Sequence, residues 1–156
     1  MPHSSKKGRR ALKMTQLSEL YCLAEIEGIT VDCFRLNKKE ALSLMDDSGE
    51  CYIAIDPFKL NAAQDERLKL AHELGHCCTG SFYNFNAACD VRQKHENRAN
   101  KWAIQHLISE SELDEAIANG YTEIWSLAEY FDVTEDFMKK VVCWYTYRNL
   151  DTELYF

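Results

Sequence analysis

Apolar residues recur at three- and four-residue steps through Leu17, Leu20, Tyr21, Leu23 and Ala24, which predicts a helix over 15–27 that Gly28 ends. The period then changes. Segments 29–36, 40–45 and 51–56 read as strands, the last two joined by a turn at Asp47-Ser48-Gly49. Pro57 closes this region, since it cannot donate to a ladder. Helical spacing returns at Leu68, Ala71, Leu74 and Cys78, predicting a helix that Asn61 caps and Gly80 stops. A loop is expected over 81–94, long enough to be a functional cover. A second long helix follows over about 95–108, with Ala99, Trp102, Ala103, His106 and Leu107 along its apolar side. Ser109 and Glu112 have capping-box spacing for a short helix ending at Gly120, and Thr122 and Thr134 are expected to cap two more. Strands followed by helices make the fold class α+β: a small, mainly antiparallel sheet and a C-terminal helical bundle.

The chain has 156 residues, enough for one ordinary core, and no repeat or linker divides it. The expected organisation is a single domain over 15–150, a flexible basic leader over 1–14 and a tail over 151–156. Net charge is −7, but Lys6, Lys7, Arg9, Arg10 and Lys13 all precede the first acid, Glu19. The remainder holds 13 bases against 25 acids. So acidic a body is a poor polyanion binder, because nucleic-acid affinity comes largely from neutralising phosphates. No stretch approaches the roughly 18 apolar residues of a membrane span, and no apolar block follows the basic start, so neither a signal nor an anchor is expected. Seven cysteines, an odd number without C-x-x-C spacing, read as free thiols in a reducing compartment, and the expected location is the cytoplasm. Cys77, Cys78 and Cys89 lie close enough in sequence to invite a metal reading, but free thiols of this kind are far commoner.

Against that plain background stands His72-Glu73-Leu74-Gly75-His76, an H-E-x-x-H within a predicted helix. A spacing of four puts both imidazoles on one face, where they can bind the same Zn²⁺ with Glu73 beside them as general base. Two histidines leave a catalytic zinc one protein ligand short. The candidate is Glu96, at the start of the next long helix, which an antiparallel helix pair would bring onto the metal. Asn100, one turn further on the same face, is either a hydrogen-bond partner of a ligand or a polar packing residue. Tyr83, His95 and His106 are chemically able to stabilise an oxyanion, and each also reads as an ordinary core or surface residue. The strand over 51–56 is a candidate for pairing with an extended substrate.

His72-Glu73-Leu74-Gly75-His76, followed by Glu96-x-x-Ala99-Asn100-x-Trp102-Ala103 and an apolar Leu107-Ile108, resembles the ImmA/IrrE family of metallo-endopeptidases. The resemblance runs from the strands onward and includes the segment from Leu127 to Thr134. Trp102 stands where the family commonly has Phe, and Ser109-Glu110 where Met-Pro is common; both departures touch packing rather than the metal. The resemblance implies a zincin-type, gluzincin-like site helix, with zinc on His72, His76 and Glu96 and catalysis by Glu73. It further implies cleavage of a helix-turn-helix transcriptional repressor of a prophage, mobile element or stress response, carried on a separate chain. Two other readings stand beside it. One is a non-catalytic module that uses the zinc fold to bind a repressor or toxin, although such a module has no need of Glu73. The other is a structural zinc site closed by Cys89 or His95.

Segments 124–131 and 135–147 have the outline of a helix-turn-helix. Between Glu110 and Asp136 there are nine acids and no Lys or Arg, a surface that repels phosphate. Helix packing is therefore the expected role of the tail, and direct DNA contact is not.

Overall fold

The computed structural model describes residues 15–84 and 86–156, so the leader expected over 1–14 lies outside the described residues. The first helix, α1 (Leu17–Ile26), buries Leu20 and Ala24 and ends where Gly28 takes a left-handed φ of 70°. Three strands follow, β1 (Thr30–Cys33), β2 (Ala41–Met45) and β3 (Cys51–Ile55). Their order in the sheet is β1-β3-β2, with β1 parallel to β3 and β2 antiparallel to it. The sheet is thus mixed rather than mainly antiparallel, because only the β2–β3 pair is a hairpin. Its turn is tied by Asp46, whose carboxylate accepts from the backbone N–H groups of Ser48 and Glu50. At the other end, buried Asp56 accepts from the N–H groups of Leu36 and Phe58 and knits the strand ends together.

Helix α2 (Ala63–Thr79) and helix α3 (Cys89–Leu107) form the centre of the molecule. Ala62, in extended conformation, occupies the N-cap of α2, and its side chain makes no capping bond. The expected cap Asn61 lies one residue earlier and donates its own N–H to Asp65. Gly80 ends α2 in the left-handed conformation, φ 63°, as its position predicts. Helix α3 starts at Cys89, six residues before the expected start, and so takes up much of the loop expected over 81–94. The two helices meet closely: a Cβ added at Gly75 would lie 2.5 Å from the Ala99 carbonyl oxygen.

Three further helices complete the fold: α4 (Glu110–Ala118), α5 (Ile124–Phe131) and α6 (Glu135–Tyr147). The capping box of Ser109 and Glu112 is formed in both directions, and Thr134 caps α6 through the Phe137 N–H. Thr122 does not cap α5; Glu123 holds that position without a side-chain bond. The tail carries a 3-10 turn (Thr152–Leu154). Leu127, Ala128, Phe131, Val133, Met138 and Val141 are all buried in the core, so the helix-turn-helix outline packs inward as expected. Arg67 of α2 reaches this part of the molecule, donating to the carbonyls of Phe131 at 2.9 Å and of Asp132. Among the described residues no helix is long and apolar enough to cross a membrane.

Candidate metal centre

Four-residue spacing on α2 places the rings of His72 and His76 with centroids 4.8 Å apart and nearly perpendicular. What aims them is the second nitrogen of each ring. His72 Nδ1 donates to the Asn100 side-chain oxygen at 2.8 Å, and His76 Nδ1 donates to the Ser81 carbonyl at 2.5 Å. In the neutral rings both Nε2 atoms therefore carry lone pairs, and they face each other at 3.1 Å. Glu96 of α3 closes the group, its Oε2 at 2.8 Å from His72 Nε2 and 3.4 Å from His76 Nε2. One ligand atom from each of the three residues falls within 4.8 Å of the others. A carboxylate converging with two imidazole lone pairs calls for a cation, and two nitrogens with one oxygen is a donor set that suits a catalytic metal ion with a position left open.

Local electrostatics express the same demand. Burial pulls His76 toward its neutral form, but hydrogen bonds to Glu96 and the Ser81 carbonyl, with the charges of Glu96 and Glu73, outweigh it and raise its pKa above the usual value. Burial also works against the charge of Glu96, yet hydrogen bonds with His72, His76 and Tyr83 hold its carboxyl well below the usual carboxylate range. Tyr83 donates to Glu96 Oε1 at 2.8 Å, and that bond, with burial, pushes its hydroxyl up.

Glu73 points from the same helix beside this group and is only 9% exposed. Its Oε2 accepts from the Ser43 hydroxyl of β2 at 2.6 Å. Glu73, the three ligand candidates and residues 41–44 of β2 line one cleft of about 1000 Å³, whose far wall includes Phe137 and Lys140 of α6. The strand that borders the cleft is β2, at the sheet edge. Strand 51–56, the expected site of substrate pairing, is instead the central strand β3, with both edges already occupied by β1 and β2.

The remaining candidates separate. Asn100 is hydrogen-bonded to His72, a candidate ligand, and Tyr83 faces the cleft but spends its hydroxyl on Glu96. The ring of His95 lies 6.1 Å from that of Tyr83, and its Nδ1 is buried without a hydrogen-bond partner among the described residues. His106 stacks on Trp102 at 3.8 Å and donates to the Trp102 carbonyl, away from the cleft. Neither His95 nor Cys89 joins the three-residue group, as a closed structural site would require. No sequence pattern marks Ser43 or Ser81: one acts through a hydroxyl on a neighbouring strand, the other through a backbone carbonyl just beyond Gly80. Only the stop signal at Gly80 hinted that a turn would fold back onto His76.

Comparison with curated proteins finds no match. The sequence model of a peptidase family, described as the IrrE N-terminal-like domain, matches residues 24–141, a span that begins in α1 and ends in α6. The chain belongs to that peptidase family.

Proposed function

We propose that the protein is a zinc-dependent endopeptidase, with zinc held by His72, His76 and Glu96 and Glu73 as its general base. The observation that carries this reading is the placement of Glu73: a nearly buried carboxylate, one residue from a ligand, opening on the same cleft as the ligand group. A scaffold that only bound a partner would have no use for a base there.

When bound, Zn²⁺ would supply a Lewis acid that polarises the scissile carbonyl and makes a water easier to deprotonate. Glu73 takes the proton of the attacking water as the new C–O bond forms, and then delivers it to the amine nitrogen, so that the peptide C–N bond breaks. Asn100 and the Ser81 carbonyl keep the imidazoles in one tautomer. Tyr83, donating to its Oε1, holds Glu96 in its orientation. The outer edge of β2 has no strand partner among the described residues, and an extended peptide added there would run past Glu73.

The substrate in this reading is a helix-turn-helix repressor on a separate chain. Its support is the family resemblance together with charge: such a repressor is basic, and the segment from Glu110 to Asp136 offers nine acids and no Lys or Arg. Association between them is expected to weaken with salt. The test is co-expression with a repressor encoded nearby, comparing wild type with Glu73→Gln for cleavage and for zinc content. Equal zinc with cleavage lowered by about 100-fold or more is expected. Unchanged cleavage in the variant overturns the assignment of Glu73, and full zinc without cleavage in either protein points to a binding module instead.

A further inference from the structure

Ser43 sits in the middle of β2, opposite Ile53 of β3, on the strand that borders the cleft. Its hydroxyl is the only hydrogen-bond partner of the Glu73 carboxylate among the described residues, at 2.6 Å from Oε2. Three facts about this contact belong together. Glu73 as a residue is only 9% exposed, so the bond lies where few waters compete for Oε2. A glutamate has three side-chain torsions, and one helix position alone does not choose among them. The donor comes from a different element, 30 residues away, so the bond ties the position of β2 to the aim of Glu73.

We propose that Ser43 is a positioning residue for Glu73. By occupying Oε2, its hydroxyl leaves Oε1 as the oxygen free to serve as base, and the strand placed to receive substrate also sets the direction of the general base. This rests on the metallopeptidase reading above. It adds that the edge strand contributes through a side chain as well as through its backbone. A substrate strand that shifted β2 would shift Glu73 with it, so a poorly seated peptide would find the base misdirected.

The test compares Ser43→Thr, which keeps a hydroxyl, with Ser43→Ala and Ser43→Val. Valine matches threonine in shape and suits a strand, so it keeps the comparison meaningful if alanine disturbs folding. Crystal structures of the metal-free variants are expected to show the Glu73 carboxylate out of its seat in the alanine and valine proteins and in place in the threonine protein. The second readout is the affinity of the zinc-loaded proteins for acetohydroxamate, a metal chelator whose hydroxyl proton a correctly aimed carboxylate accepts. Alanine and valine should weaken it by about 10-fold at unchanged zinc affinity, and threonine should restore it. Either readout unchanged in the alanine and valine proteins overturns the proposal. Failure of the wild-type protein to bind acetohydroxamate would count against the open metal position itself, and the crystallographic comparison would then decide the role of Ser43 alone.

Discussion

Every buried polar or charged residue among those described, Asp56, Arg67, Glu73, His76 and Ser81, falls between the sheet and the start of α3. From residue 101 onward the buried residues are all apolar, among them Ile104, Leu107, Leu113, Phe131, Met138 and Val141. Helix starts divide in a complementary way. Neither α2 nor α3 has a side-chain cap, whereas in the second region α4 and α6 begin with Ser109 and Thr134 capping and only α5 lacks one. The first region is held by bonds between distant elements and carries the polar groups that chemistry needs. The second is held mainly by apolar burial and by local caps, with a few longer bonds such as that of Tyr145 to the Ile108 carbonyl, and serves as its support. Buried polar groups are costly unless each finds a partner, so the first region should be far more sensitive to small changes.

Gly75→Ala is the harshest way to press that contrast. The new Cβ would meet backbone atoms of Ala99, which cannot turn aside, and so would push α2 away from α3. A loss of roughly 3 kcal/mol in denaturant unfolding is expected, with failure to hold zinc. Wild-type zinc stoichiometry would mean that the helix pair tolerates separation. Asn100→Ala leaves the packing intact but frees the ring of His72. Metal affinity should fall 10- to 100-fold by competition titration. If affinity stays the same, Asn100 is only a packing residue.

In the second region the expected effects are smaller and do not reach the metal. Ser109→Ala removes a capping box and should cost about 1 kcal/mol of stability, with zinc affinity unchanged. A change in zinc affinity would mean that the two regions are coupled through the start of α4. The mildest effect concerns Tyr145, whose hydroxyl donates to the Ile108 carbonyl at 2.6 Å. Burial, with the charge of Glu110, pushes it up to about 12. The folded protein thus holds this proton more tightly than the unfolded chain, and stability is fully present below about pH 10 and lost as pH rises toward 12. Alkaline unfolding of Tyr145→Phe, followed by circular dichroism, should show less decline over that interval.

The same contrast governs what the sequence could reveal. The imidazole pair was legible because it follows from helix period alone, and Gly80 because only a few residue types tolerate its φ. Ser109 and Thr134 were legible because a cap and its acceptor lie within one turn. The early start of α3 was hidden, since Cys-Asp-Val-Arg-Gln-Lys over 89–94 shows no apolar period and no capping side chain announces it. The place of β3 in the middle of the sheet was hidden too: strand order is decided by how β1 crosses over, which no local pattern records. Ser43 and Arg67 bond across 30 and 64 residues, through single side chains that in isolation look like any other.

Arg67 has one further consequence, for the order in which the molecule is made. All three candidate ligands, at 72, 76 and 96, are synthesised before either carbonyl that receives the guanidinium, at 131 and 132. Seating α2 against the core earlier would strand a buried cation, at a cost of several kcal/mol. A growing chain is therefore expected to delay the final docking of α2 until α5 has emerged, so that the last third of the protein times the completion of a centre to which it gives no ligand.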